Sequence, residues 1–140
     1  MSKKGYIISI ILFVFGATVM VVVRSARQPV RIATGCFHQV AHKGTGCAAI
    51  SQRVGGRMVL ELTGLSTAAG SANEVILTSA GDAFENETVK SADKLILGGL
   101  ESGKEYQEFT IPVGTDIFAF HSVTIWNSKY QVNFTTAPLR

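Results

Sequence analysis

FAFHSVTIWNSKYQVNF, residues 118–134, is the stretch whose reading decides the fold. Two runs rich in β-branched and aromatic residues flank Asn127-Ser128, which suits a two-residue hairpin turn. Side chains alternate along a strand, so that turn pairs Ile125 with Tyr130, Val123 with Val132 and His121 with Phe134 on one apolar face. The other face then sets Trp126 against Lys129, Thr124 against Gln131 and Ser122 against Asn133, and it faces solvent apart from the indole. Lys129 over Trp126 would be a cation–π contact worth about 0.5–1 kcal/mol. On this reading Trp126 is structural, with a ligand contact as its alternative role, and His121 is a hydrogen-bonded core histidine.

Outward from this hairpin the chain keeps the same character. From Ile32 onward short apolar runs alternate with glycine-rich or polar turns, and no 3.6-residue period is sustained. Strands are expected near 35–41, 46–52, 57–62, 74–79, 94–98, 106–111, 117–126 and 129–135. Eight strands in this length suit an all-β sandwich or barrel. Two segments read as long loops: STAAGSAN at 66–73, made of small residues, and GDAFENETVKSAD at 81–93, polar and acidic. Asn86-Glu87-Thr88 and Asn133-Phe134-Thr135 both fit a glycosylation sequon.

The first residues differ in kind. Residues 6–23, YIISIILFVFGATVMVVV, carry no charge and reach the lower length limit for a membrane-spanning helix. They are flanked by Lys3 and Lys4 on one side and Arg24, Arg27 and Arg31 on the other. The expected organisation is a tail at 1–5, an uncleaved transmembrane anchor at 6–23, a basic linker at 24–31 and a β domain at 32–140. The flanking charges nearly balance, so they do not fix the orientation; a single early anchor favours the body outside the cytoplasm. The 140-residue chain has a formal charge of +3, but the body carries eight Lys/Arg against ten Asp/Glu. All the excess positive charge therefore belongs to the anchor region, which argues against nucleic-acid binding by the body.

Reactive side chains concentrate in GCFHQVAHKGTGC, residues 35–47, which holds Cys36, His38, His42 and Cys47. Sulfur and imidazole so close together invite a metal or haem reading. Against it, residues i and i+4 of one strand lie about 13 Å apart, so His38 and His42 meet at a metal only if the chain turns between them. The cysteines face a similar test. A turn at Lys43-Gly44 pairs Cys36 with Ser51 and leaves the sulfurs too far apart to bond, whereas a turn at Ala41-His42 sets Cys36 opposite Cys47. Both registers remain open, as do a disulfide and two separate thiols. The sequence contains no complete phosphate loop, no nucleophile elbow, no HExxH and no CxxC, and its carboxylates are scattered.

Four segments, GCFHQVAHKGTGCAAI, LTGLSTAAGSANEVILTSA, LGGLESGKEYQEFTIP and HSVTIWNSKYQVNFTTAPL, resemble in that order the landmarks of the DM-thirteen, or electron transfer DM, domain family. The resemblance covers nearly all of residues 33–139 and is most specific in SVTIW and the residues after it. It implies an extracytoplasmic β-rich domain, often joined to a signal or membrane segment in bacteria. It also implies electron transfer centred on a cysteine directly after the tryptophan. Here that position is Asn127, which can neither form a disulfide nor bind a metal as thiolate.

The leading expectation is a membrane-anchored, extracytoplasmic, non-enzymatic binding or structural module of the cell envelope. It would be held by residues 6–23, meet an envelope protein or ligand, and use neither a cofactor nor a metal. The alternative is a redox protein using Cys36 and Cys47, or a haem or metal near His38 and His42. Cys36, Cys47, His38, His42, Trp126 and Asn127 are the candidate site residues.

Overall fold

In the computed structural model, which describes residues 28–140, nine strands form two antiparallel sheets; five lie close to the expected segments, while those expected at 35–41, 117–126 and 129–135 are shifted or divided. The expected tail, the anchor at 6–23 and the first half of the linker, residues 24–27, lie outside the described residues. In chain order the strands are β1 (Val30–Cys36), β2 (His38–Gln39), β3 (Thr45–Gln52), β4 (Met58–Ser66) and β5 (Asn73–Thr78). They are followed by a short helix α1 (Asn86–Ser91), then β6 (Lys94–Gly99), β7 (Gln107–Thr110), β8 (Ser122–Asn127) and β9 (Val132–Pro138). One sheet runs β1-β3-β4-β7 and the other β2-β9-β8-β5-β6. Between them Ala48, Ile50, Leu60 and Leu62 face Val75, Leu77, Val123 and Ile125 in one core. Full burial of each larger aliphatic side chain contributes about 1.5–3 kcal/mol.

The two sheets share one stretch of chain. β1 pairs with β3 along one edge. The same stretch, continued through β2, pairs with β9 along the other, with His38 opposite Thr136 and Gln39 opposite Thr135. Thr34 and Arg140 exchange both backbone hydrogen bonds, at 3.0 and 2.9 Å, in the same register. Residues 30–39 therefore act as a corner strand joining the sheets, an arrangement intermediate between the sandwich and the barrel.

The last hairpin is present in a different register. Trp126 lies opposite Asn133, Ile125 opposite Thr135 and Val123 opposite Ala137, with a bulge between Ile125 and Trp126. A two-residue turn at Asn127-Ser128 would need positive φ at both residues. The chain instead makes a longer turn in which the Tyr130 N–H donates to Asn127 Oδ1 (2.9 Å) and Gln131 takes the left-handed conformation at φ 55. Tyr130 is thereby exposed, and Lys129 sits over the Tyr130 ring at 5.2 Å instead of over Trp126.

The face expected to meet solvent is covered. Residues 79–93 climb over the outer side of β5 and β8, where Ile76, Ala83, Val89 and Trp126 form a second apolar cluster. β8 is buried at every position. Its polar residues are accordingly paired: Ser122 with Thr78 at 2.7 Å and Thr124 with Thr136 at 3.1 Å. Asn133, fully buried, donates to the Ala83 carbonyl at 3.1 Å, which removes its sequon from solvent. The segment expected as one strand from residue 117 begins with a 3-10 turn, Ile117–Ala119, whose first residues are held by Asp116 accepting from the Phe118 N–H (3.2 Å). The His121 N–H donates to the Thr78 carbonyl and its carbonyl accepts from the Leu139 N–H, both at 2.8 Å, but the residue is exposed and is not the expected core histidine.

Candidate functional site

Phe37, between Cys36 and His38, points inward and is buried, which turns both neighbours outward. Directly across the ladder from Cys36 is Cys47, and the two form a disulfide with Cα atoms 3.9 Å apart. The flanking Phe37 N–H donates to the Gly46 carbonyl at 2.9 Å, so the cysteines form a non-hydrogen-bonded pair, the arrangement that brings opposing side chains closest. Of the two registers left open by the sequence, the structure selects the one centred on Ala41-His42. Gly44 is not at a tight turn. It is buried against Thr135, so close that a Cβ there would collide with the Thr135 side chain.

The disulfide lies on the outer face of the β1-β3-β4-β7 sheet. Cys36 is exposed and Cys47 half-buried. Neither belongs to the core, and a shallow cavity of about 280 Å³ lined by Arg31, Thr34, Glu61 and Thr63 adjoins both. In chain-entropy terms, closing a loop of this length stabilises the fold by about 3 kcal/mol. The pairs Val30–Gln52 to Gly35–Ala48 hold the two strands together independently of it.

The histidines do not converge. His38 Nε2 lies 2.6 Å from Asp82 Oδ1, Nδ1 lies 3.0 Å from the Gln39 carbonyl, and the ring stacks on Phe84 at 4.6 Å. His42 meets Phe134 edge-on at 4.2 Å. Among the described residues no cluster of His, Cys, Asp and Glu suits a metal ion. Burial lowers the His38 pKa, but the hydrogen bond to Asp82, the bond to the Gln39 carbonyl and the Asp82 charge together raise it above 6.5. Both ring nitrogens face acceptors, a set that the doubly protonated ring satisfies best.

A raised folded-state pKa gives stability that is fully present below the unfolded value of 6.5 and lost as pH rises through the higher folded value. Urea midpoints measured from about pH 6 to pH 8.5 should fall by less than about 1 kcal/mol equivalent, and Asp82→Asn should flatten the profile. An unchanged slope in Asp82→Asn would assign the pH dependence elsewhere.

Trp126 and Asn127 are interior. Asn127 donates from Nδ2 to Asn73 Oδ1 (3.0 Å), while Asn73 donates to the Ala68 carbonyl (3.2 Å). Together with the Tyr130 bond, this ties the 66–73 loop to the β8–β9 turn, and neither residue is available to a ligand. Residues 98–104, GGLESGK, have phosphate-loop spacing without the closing Ser or Thr, and they lead into β7 where a phosphate loop leads into a helix. Asp82, Phe84, Arg31 and Glu61 carry no local signal, because folding brings them to the site from distant positions.

A family model described as Electron transfer DM13 matches residues 36–139. The chain belongs to the DM13 family. No curated protein and no solved structure matches it. The DM13 match begins at Cys36 and ends at Leu139, so it includes both cysteines, the corner strand from that point on, and β9 beside it. This DM13 chain has two cysteines, and both are in the disulfide. The position after the tryptophan, where the resemblance implies a redox cysteine, holds the buried Asn127 in β8, whereas both sulfurs of this DM13 chain lie on the other sheet.

Proposed function

We propose that this protein is a membrane-tethered, extracytoplasmic electron-transfer domain whose redox group is the Cys36–Cys47 disulfide. The observation that carries the reading is a disulfide on the surface of a sheet whose ladder and core do not depend on it. Exposed disulfides are the ones open to exchange, and disulfides persist in oxidising compartments, which supports a location outside the cytoplasm. The chemistry is two-electron exchange with a partner dithiol. A partner thiolate attacks Cys36 Sγ, the more exposed sulfur; the Cys36–Cys47 bond breaks and Cys47 leaves as a thiolate that takes a proton from water. The partner's second thiolate then attacks its own sulfur in the mixed disulfide and releases Cys36, which is protonated in turn. The partner ends as a disulfide and the domain as two thiols.

The test uses intact cells producing the full chain. After brief dithiothreitol treatment, a membrane-impermeant maleimide should add two labels per chain, and none without reductant. Labelling only after lysis would overturn the extracytoplasmic placement, and two labels without reductant would overturn the disulfide.

The non-enzymatic binding module is a second reading, favoured by one observation. At the end of the sandwich away from Val30, residues 65–70 and 100–105 surround a cavity of about 150 Å³, and the buried Thr67 Oγ1 at its wall has no hydrogen-bond partner. A small polar ligand there would satisfy the hydroxyl.

A further inference from the structure

The end of the sandwich at which β1 begins has an unusual surface. Val30 lies opposite Gln52, Gln52 opposite Met58, and the Ile111 N–H donates to the Met58 carbonyl at 2.9 Å, so these residues form the terminal row of one sheet. Beyond that row project the β3–β4 hairpin tip at 53–57 and the segment from Pro112 to the 3-10 turn. Their apolar side chains are bare: Val54 is 67% exposed, Val113 102% and Phe118 77%, beside Val30 at 60%. These exposed apolar side chains lie on two separate loops and at the start of β1, and the core gains nothing from them.

The charges around these tips are mainly basic. Arg57 and Arg140 are exposed. Arg53 is committed to Glu61 at 3.0 Å and Glu108 at 3.2 Å, and Asp116, the acidic residue of the loop, accepts from the Phe118 N–H. The sequence adds a distance limit. Six residues, 24–29, lie between Val23, the end of the apolar 6–23 stretch, and Val30, and the seven Cα–Cα steps fully extended reach about 25 Å. The surface with the bare tips is therefore tethered within a short reach of the apolar stretch. Cys36 lies about 20 Å farther along the same strand.

From this juxtaposition we infer that Val54, Val113 and Phe118, with Arg57 and Arg140 around them, form a docking surface for an anionic lipid leaflet. The apolar tips enter the boundary between headgroups and acyl chains, and the arginines meet lipid phosphates. Docking fixes the strand axis relative to the bilayer, so the disulfide stands away from the membrane instead of sweeping freely on the linker. The inference rests on the anchor reading of residues 6–23.

The experiment places the full chain in vesicles of phosphatidylcholine and phosphatidylglycerol carrying brominated acyl chains. The fluorescence of Val113→Trp and Phe118→Trp is compared with Tyr130→Trp at the far hairpin and with the parent chain, whose one tryptophan is the buried Trp126. Lipid quenching of the first two should exceed that of Tyr130→Trp by about twofold or more, and should weaken when phosphatidylglycerol is omitted. Equal quenching at the two ends, in a chain that alkaline carbonate does not extract, overturns the docking surface and keeps the anchor. A chain that carbonate extracts overturns the anchor, and the docking surface falls with it.

Discussion

Trp126→Ala should destabilise the domain by about 3–5 kcal/mol, the range for truncating a buried aromatic side chain. Trp126 is 6% exposed and fills the space between the outer face of the β5–β8 pair and the helix-bearing segment, against Ile76, Ala83 and Val89. α1 has six residues and no side-chain hydrogen bond at its N-cap, far too short to persist without packing. Removing the indole therefore creates a cavity and also loosens residues 79–93. That segment carries Asp82, the partner of His38, and Asn86, whose side chain accepts from the Asn133 N–H at 2.9 Å. Urea unfolding followed by far-ultraviolet circular dichroism measures the loss, since the substitution removes the only tryptophan. A loss below about 1 kcal/mol would mean that the second cluster does not carry the outer face.

Gly35→Ala should cost about 3 kcal/mol, at the upper end of the range for overpacking. A Cβ on Gly35 would overlap the Pro138 carbonyl, with the carbonyl carbon 2.7 Å away. The obstruction is backbone on both sides, so no side-chain rotation relieves it. Thr34 and Arg140 are hydrogen-bonded to each other immediately beside the contact, so separating the strands breaks the corner that joins the two sheets. Gly99→Ala is the control. Its Cβ would meet nothing within 4 Å and its backbone is not left-handed, so the same substitution there should change stability by less than about 0.5 kcal/mol. Equal effects at the two positions would contradict the close approach of β1 and β9.

Local pattern identified most of the strands but not how they were covered or aligned. β3, β4, β5, β6 and β7 lie close to the expected segments, because alternating burial and turn residues are written locally. The final hairpin was legible as a hairpin. Its register was not, because the Asn127 side chain builds a longer turn and α1 holds Asn133 from 47 residues away. Ser122, Thr124 and Asn133 look like a solvent face in sequence and are buried, since what covers them is a polar-looking loop.

The site shows the same division. Cys36 and Cys47 stood out, yet the choice between two registers depended on the chain leaving β3 at Phe37 to pair with β9, a contact nearly a hundred residues distant. His38 was visible as a reactive side chain, but its partner Asp82 lies 44 residues away. Asn127 was legible as a departure from the DM13 pattern. Its role in joining two loops through Asn73 was not.

The proposed electron-transfer role requires Cys36 and Cys47 to exchange electrons in the folded domain. The direct measurement is a dithiothreitol titration of the full chain under native conditions, with thiols counted by alkylation and the fold followed by Trp126 fluorescence and circular dichroism. If the disulfide is a redox group, two thiols appear per chain without a change in either spectrum, and they return to a disulfide when the reductant is removed. If it is only a structural staple, thiols appear only together with unfolding, or only after denaturant is added, and the electron-transfer role is contradicted.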